Sequence, residues 1–182
     1  MAQVDLSSGS YVRPHRCPWG AFPVRNMTPH STATIHLGNM VTLGTIASTL
    51  QNTILQSTIP NAFYIVGIAG SSFTFTSSAT TPNAIPVWEA NPMCEFRAQT
   101  KGDALASSHV GLRRSLAWDS TLNVHYVELG ASTATDWRVV VTGIVQDAGS
   151  SGGTVSFRFL GHLDEQITST VNSSTPTLAF YA

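Results

Sequence analysis

The side chains that could do acid-base or metal chemistry form two short motifs, in each of which a histidine precedes a carboxylate by three residues. His125 precedes Glu128 in this way, and His162 precedes Glu165. On a helix this spacing would place both side chains on one face, as a pair of metal ligands requires, whereas on a strand they would lie on opposite faces. We interpret both motifs as surface or strand-end residues, so we expect neither a metal site nor a cofactor.

Other catalytic motifs are absent from the sequence. It has no Gly-x-Ser-x-Gly, no Gly-rich phosphate loop ending in Lys-Ser/Thr, no His-Glu-x-x-His and no Cys-x-x-Cys. The His-x-His cluster of cupin enzymes is missing as well. The sequence therefore predicts a protein that is not an enzyme, and a metal-dependent β-sandwich enzyme is the third-ranked alternative.

Basic residues that could contact RNA occur in a Pro-rich N-terminal segment. Tyr11 and Trp19 lie among them, and a mixture of cations and aromatic rings can neutralise phosphates and stack on unpaired bases. The alternative is that this segment tucks beneath neighbouring subunits, with its aromatic rings as packing anchors. The RNA-proximal candidates are Arg13, His15, Arg16, Arg25 and His30.

A second basic group lies among acidic residues in the region 91–120. Oppositely charged neighbours favour ion pairs over RNA contact, so we expect these side chains at subunit interfaces or in ion pairs. The candidates of this group are Arg97, Lys101, Arg113 and Arg114.

Charge is scarce in this chain of 182 residues. Charged residues make up 10%, against about 25% in a typical soluble domain, and the formal net charge is −1. A surface rich in Ser and Thr but poor in charge is expected when much of it is buried against copies of the same chain. A single Lys and the absence of any basic run exclude a strongly basic nucleic-acid binder, so any contact with RNA must be local.

Histidines and cysteines add two further expectations. Protonation of all six histidines would move the formal charge from −1 to +5, so mild acid could tune subunit association or RNA contact. The alternative is that the six side chains are scattered and uncoupled. Because we find no secretory signal and no apolar run long enough for a membrane, we expect Cys17 and Cys94 to be free thiols.

Hydrophobic patterning predicts mostly strands. The apolar spacing over 43–54 predicts one helix, and a second short helix is expected within 103–110. We divide the chain into an N-terminal arm (1–30), a body (31–166) and a C-terminal tail (167–182). Segments with the alternation or apolar runs of strands are 31–37, 63–69, 73–76, 85–90 and 122–129, followed by 137–145 and 154–159 on either side of a Gly/Ser turn.

The order of these elements resembles the single jelly-roll coat proteins of small icosahedral positive-strand RNA viruses. Residues 136–143 and 153–159 are similar to the terminal strand pair of that family, and residues 63–78 followed by 85–92 are similar to the central strands of tymovirus-like coats. Sobemovirus- and tombusvirus-like coats usually carry an Arg/Lys-rich arm that this chain lacks, whereas tymovirus-like coats also lack a strongly basic arm. The resemblance covers about residues 31–166 and transfers no individual functional residue.

The resemblance implies an all-β fold, an eight-stranded antiparallel jelly-roll sandwich with one or two short helices in the crossovers. It implies a structural function, in which copies of the chain self-assemble into an icosahedral capsid around genomic RNA, with polyamines or small cations and no membrane partner. Such a protein would be assembled in the host cytoplasm and located in the virion, and its free subunits would bind RNA weakly. The alternative from a different class is a non-viral β-sandwich binding module, either lectin-like or a trimeric receptor-binding domain.

Overall fold

The computed structural model describes residues 11–18, 20–30, 32–46, 49–58, 64–74, 83–130, 136–146, 148–149 and 152–160, so the predicted C-terminal tail lies outside the described residues. Within these ranges the chain is all-β, with one turn of 3-10 helix at Ser107–His109 and no α-helix. None of the described helical structure is long and apolar enough to cross a membrane. The strands are β1 (Arg13–Arg16), β2 (Val24–Pro29), β3 (Thr34–Ile35), β4 (Met40–Ile46), β5 (Thr49–Gln56), β6 (Ile65–Ala69), β7 (Phe73–Thr74), β8 (Ile85–Glu89), β9 (Glu95–Lys101), β10 (Arg113–Asp119), β11 (Val124–Glu128), β12 (Val139–Gln146) and β13 (Thr154–Phe159).

Five strands close a small barrel, which we call the N-terminal barrel, in the order β2-β5-β4-β6-β8. Neighbouring strands are antiparallel except for β2 and β5, which run parallel. Val41, Ile54 and Val87 are fully buried in its core. Strands β3 and β7 pair with each other as a separate two-stranded sheet.

The other six strands form the C-terminal sheet, in the order β1-β9-β11-β10-β12-β13. Strand β9 also pairs with β13, so it has three partners and the last five strands close on themselves. The β9–β11 contact is parallel and short, whereas β1 and β13 run antiparallel to β9. Strand β9 is therefore the connecting element of the sheet.

The main core lies between the barrel and the sheet. Met40 and Ile68 reach it from the barrel, and three phenylalanine rings reach it from the sheet. The ring of Phe96 stacks on Phe157 with centroids 5.9 Å apart and meets Phe159 edge-on at 5.4 Å. Because side chains alternate along a strand, each strand of the sheet that points apolar residues into this core presents its other residues outwards.

The helix predicted over 43–54 is wrong, because the described residues of this segment lie in the antiparallel strands β4 and β5. Leu43 lies opposite Ile54 across the two strands, so strand pairing brings together apolar residues that a helix would place on one face. β-branched residues are frequent in both strands and favour extended backbone, since branching at Cβ restricts the side chain in a helix. The short helix expected within 103–110 is the single 3-10 turn.

The all-β class and the predicted terminal hairpin are confirmed. Strands β12 and β13 pair antiparallel along their whole lengths, from the Val139–Phe159 pair to the Gln146–Thr154 pair. The eight-stranded jelly roll with helices in the crossovers is not confirmed. The described residues form thirteen strands, and, apart from β1, the barrel and the sheet are built from successive stretches of the chain.

The described part of the N-terminal arm belongs to the fold, contrary to our expectation. Strand β1 joins the C-terminal sheet, β2 joins the barrel, and Val12 is fully buried in the main core. The expectation of free thiols is also wrong, because Cys17 and Cys94 form a disulfide. The bond joins the residue after β1 to the residue before β9, and the sequence could not reveal it because strand pairing brings the two cysteines together.

Gly38→Ala tests whether Tyr11 anchors the N-terminal segment. Gly38 has a φ of +77°, and a Cβ at this position would overlap the Cβ and ring of Tyr11. Gly111 is the matched control, since its φ is +85° but no atom lies within 4 Å of such a Cβ. Both variants strain the backbone, but only Gly38→Ala must displace Tyr11.

We therefore expect Gly38→Ala to lower the free energy of unfolding, measured in urea, by about 1–3 kcal/mol more than Gly111→Ala. Equal losses in the two variants would show that the Tyr11 contact does not hold the segment.

Candidate nucleic-acid interface

Alternation along β9 gives the C-terminal sheet a polar outward face. Every second residue of this strand is buried towards the main core, and the residues between them are half-buried on the other side. Because paired strands repeat this alternation in register, their outward residues share one face. The outward residues of β9 are Glu95, Arg97, Gln99 and Lys101.

Pairing of β1 with β9 brings arginines of the arm and the body together. Arg13 lies directly opposite Arg97, and Arg16 lies opposite Glu95. Directly opposed residues of antiparallel strands have Cα atoms about 5 Å apart. Candidates that we assigned to separate groups are therefore neighbours on one surface.

Strands β13, β12 and β10 extend this surface. Arg97 lies opposite Ser156 of β13, and Arg158 follows two residues later on the same face. Val140 of β12 pairs with both Arg158 and Arg113, so Arg113 of β10 lies on this face as well. We call the following five residues the arginine face: Arg13, Arg16, Arg97, Arg113 and Arg158.

The arginine face carries an excess of positive charge. Its five arginines stand against one carboxylate, Glu95, and 5 − 1 gives a formal charge of +4. The ion pairs found among the described residues involve Arg25 and Lys101, and none of the five. Like charges directly opposite each other repel, so an anion bound between Arg13 and Arg97 would stabilise this strand pair.

Arg97 and Arg158 are suited to hold an oxyanion. Both side chains are half-buried, and the Nε atom of each is buried without a hydrogen-bond partner in the described part of the chain. Burial of the stem restricts the guanidinium before any ligand binds, so less freedom is lost on binding. The planar guanidinium can donate two parallel hydrogen bonds to phosphate oxygens. Phosphodiester groups are therefore the ligand chemistry that fits this face.

The structure places the remaining RNA-proximal candidates differently. Arg25 lies on β2 of the barrel, and its Nε donates to Oε1 of Glu89 at 2.9 Å. The Nδ1 of His30 lies 2.9 Å from Oγ1 of Thr32. His15 is exposed on β1, at the irregularity in the β1–β9 pairing. Of the five candidates, only Arg13, His15 and Arg16 lie on the strand that borders β9.

Lys101, a candidate of the second basic group, forms an ion pair within the chain. Its Nζ donates to Oδ2 of Asp119 at 2.9 Å and lies 5.3 Å from the ring centroid of Tyr126. The hydrogen bond from Lys101 lowers the pKa of Asp119, and the backbone amides of Leu122 and Thr121 act in the same direction. Burial raises the pKa of Tyr126 to about 12. The charge of Lys101 is thus balanced locally at the far end of β9.

Two further arginines bond to the backbone beside them. Nη1 of Arg114 donates to the carbonyl oxygen of Arg113 at 3.0 Å. Arg138 has no exposed surface, and its Nη1 donates to the carbonyl oxygen of Trp137 at 2.8 Å. Burial lowers the pKa of Arg138. Neither residue is part of the arginine face.

Sequence reasoning did not identify Arg158 as a candidate. Its alternation with the neighbouring phenylalanines indicated an outward side chain, but not which residues would lie beside it. That information lies in the register of β13 against β9, which depends on contacts distant in the sequence.

His125 joins the C-terminal sheet to the N-terminal barrel. It is 1% exposed on β11, and its Nδ1 lies 3.0 Å from Oδ1 of Asn39 and 3.3 Å from the amide nitrogen of Met40. Nδ2 of Asn39 also donates to the carbonyl oxygen of Asn123 at 2.9 Å. These hydrogen bonds fix the sheet against the start of β4.

The His125-x-x-Glu128 motif lies on a strand. His125 points into the protein, whereas Glu128 lies on the opposite face of β11, where its Oε1 accepts a hydrogen bond from the amide of Gly130. No group of three His, Cys, Asp or Glu side chains that could hold a metal occurs among the residues described. The second motif, His162 with Glu165, lies outside the described residues.

Burial lowers the pKa of His125 to about 3, although a backbone hydrogen bond with Ser57 acts in the opposite direction. The folded chain therefore keeps His125 neutral in mild acid. His125 therefore does not contribute to the gain of charge in mild acid that we expected from all six histidines. Protonation of His125 in the folded chain would place a charge in the buried joint between sheet and barrel, which burial disfavours.

An open cavity of about 350 Å³ lies where the barrel meets the sheet. Its size is at the lower end of the range of about 300–1,000 Å³ that is usual for small-molecule sites. No Arg, Lys, Asp or Glu lines it, which separates it chemically from the arginine face. Its polar and aromatic lining consists of Thr32, Thr34, His36, Gln56, Thr58, Trp118 and Asn123.

The double variant Arg97→Gln/Arg158→Gln tests the arginine face. Each phosphate of a single-stranded nucleic acid that the protein neutralises contributes about 0.7 to the steepness with which the logarithm of the binding constant falls with the logarithm of the salt concentration. We expect the slope for a single-stranded RNA to fall by about 1.4 in the double variant. Arg25→Gln, which removes an ion-paired arginine of the barrel, is the control and should leave the slope unchanged. An equal effect of Arg25→Gln would contradict the assignment.

The pH dependence of stability tests the joint at His125. The unfolded chain binds a proton below about pH 6.5 that the folded chain does not bind until about pH 3. The contribution of neutral His125 to the free energy of unfolding should therefore be complete above pH 6.5. Between pH 6.5 and 3 the free energy of unfolding should fall by about 1.4 kcal/mol for each unit of pH. In urea titrations, His125→Gln should lose this dependence relative to the parent chain. Parallel pH profiles would show that folding does not lower the pKa of His125.

Comparison with protein-family models, with curated proteins and with solved structures found no match. The function must therefore be inferred from the chain itself. Its described surface carries a local concentration of arginines, and charged residues make up only 10% of the chain. These two properties are the basis for a functional proposal.

Proposed function

We propose that this chain is the structural subunit of a viral icosahedral capsid that self-assembles and encloses an RNA genome. The observation that carries the proposal is the arginine face, which presents five arginines on one side of a sheet and forms no ion pair within the described residues. A coat subunit needs one surface that accepts phosphates and other surfaces that accept neighbours. The site of action would be the virion, after assembly in the host cytoplasm.

The arginine face would contact the phosphate backbone of the enclosed RNA. A formal charge of +4 per face neutralises only a few phosphates, so polyamines or small cations would balance the remainder. A free subunit would then bind RNA weakly. Many copies held in a closed shell would bind it strongly in total, because each contact raises the effective concentration of the next.

Contacts between subunits would rely on apolar and hydroxyl groups. With charged residues at 10% of the chain, little repulsion opposes close approach of copies. Closed symmetry would let each subunit be held by several neighbours, so modest pairwise contacts suffice. The large apolar side chains exposed on the described surface, which neighbours could cover, are Val24, Met93, Val110, Leu112 and Val145.

The proposal uses the likeness to jelly-roll coat proteins only in a general form, namely that the subunit is built from packed β layers. A shell closes through the surfaces of its subunits, and the same β architecture can serve many functions. The proposal therefore depends on what the sheet face and the exposed apolar residues bind, and not on a count of eight strands.

Electron microscopy of the purified chain, with its absorbance ratio at 260 and 280 nm, tests the proposal. We expect uniform closed particles whose ratio shows enclosed RNA. Arg97→Gln/Arg158→Gln particles should have a lower ratio, because the variant loses phosphate contacts but keeps the apolar residues between subunits. Monomers or trimers under all mild buffer conditions would contradict the proposal.

The cavity between barrel and sheet favours a second candidate, a β-sandwich binding module of the lectin-like or receptor-binding type. Its hydroxyl, amide and indole groups would suit a small neutral ligand. A module of this kind would stop at one to a few chains, and replacing Trp118 would abolish its ligand binding without changing any affinity for RNA. Sedimentation as a particle of megadalton size would exclude this alternative.

A further inference from the structure

We propose that thiol–disulfide exchange at Cys17–Cys94 regulates the affinity of the arginine face for phosphates, with the oxidised chain binding more strongly. The inference rests on the proposed function, because it names a regulation of the same face. It arises from the position of the bond relative to the strands that carry the arginines.

The disulfide clamps the pairing of β1 with β9 at one end. Cys17 directly follows β1 and Cys94 directly precedes β9, and their Cα atoms are 4.4 Å apart. Next to the bond, Arg16 lies opposite Glu95, and further along the same pair Arg13 lies opposite Arg97. The covalent link therefore holds two of the five arginines of the face beside the others.

Without the bond, little holds β1 in place. The strand has four residues, pairs with β9 alone, and has three exposed side chains. The direct opposition of Arg13 and Arg97 favours separation. The anchors that remain are Val12 in the core and Tyr11 against Gly38, just before β1, and Phe22, whose ring meets that of Phe96 at 5.2 Å but lies five residues after Cys17. Reduction should therefore release the Arg16 end of the strand first.

The chemistry needs a reductant of the dithiol class or two molecules of a monothiol. A reductant thiolate attacks one sulfur of the disulfide, forms a mixed disulfide and expels the other cysteine as a thiolate. The second reductant thiol resolves the mixed disulfide, so two electrons and two protons leave the reductant and two Cys thiols result. Cys17 is 9% exposed and Cys94 is fully buried, so the attack falls on Cys17 and Cys94 is the leaving group.

This arrangement would link RNA affinity to the redox state of the surroundings. Thiols stay reduced in the cytosol, whereas disulfides persist outside cells. Subunits would meet RNA with a movable β1, oxidation after release would lock Arg13 and Arg16 onto the face, and a reducing compartment would loosen them again.

The test compares salt-dependent binding of a single-stranded oligouridylate by the oxidised chain and by the chain reduced with dithiothreitol. Two fewer phosphate contacts should lower the slope of log binding constant against log salt by about 1.4 on reduction. The oxidised Arg13→Gln/Arg16→Gln variant should match the reduced parent and should not respond to the reductant. This variant keeps the disulfide, so it separates loss of the arginines from loss of the fold.

Two controls make the outcome decisive. Circular dichroism should show the same β content in the oxidised and reduced chains, and trypsin should cleave after Arg16 faster in the reduced chain. A slope that is equal in both redox states, or a reductant response that persists in Arg13→Gln/Arg16→Gln, would overturn the switch. If the oxidised parent itself shows no salt-dependent binding, the RNA-binding function fails instead.

Discussion

The rest of the structure depends on the register of strand β9. Its inward residues carry Phe96 into the main core, while its outward residues place Arg97 beside Arg13. A slip of one residue would turn Phe96 to the surface and Arg97 into an apolar interior, where an unpaired charge is very costly. The packing of the phenylalanine rings therefore fixes the same alternation that creates the arginine face. Cys94, at the start of this strand, adds a covalent limit to how far β1 can move relative to it.

Folding concentrates charge that the sequence disperses. The chain has a net charge of −1 and no basic run, yet strands β1, β9, β13 and β10 together place a formal charge of +4 on one face of the sheet. At physiological salt, exposed charges act over about one Debye length, roughly 8 Å. Arg13 and Arg97 lie within this distance of each other and can hold a phosphate together, whereas the rest of the chain carries a formal charge of −5. Low overall charge and local RNA contact are therefore compatible in one small chain.

Local patterns predicted the strand content and the terminal hairpin, because alternation with a period of two is written directly in the sequence. The same approach failed at 43–54, where Leu43 and Ile54 have helical spacing but meet by pairing between antiparallel strands rich in β-branched residues. It could not find the Cys17–Cys94 bond or the role of Arg158, since both depend on register between distant segments. It also placed Arg25 in the same group as Arg13, although Arg25 lies on the barrel in an ion pair with Glu89 and Arg13 lies on the arginine face.

Arginine-specific modification of the oxidised chain with phenylglyoxal, read by mass spectrometry with and without RNA, tests the central claim most directly. The account predicts that RNA protects Arg13, Arg97 and Arg158 from modification and leaves Arg25 as reactive as before. Protection of Arg25, with unchanged reactivity of the three arginines around β9, would contradict the assignment of the arginine face as the RNA-binding surface.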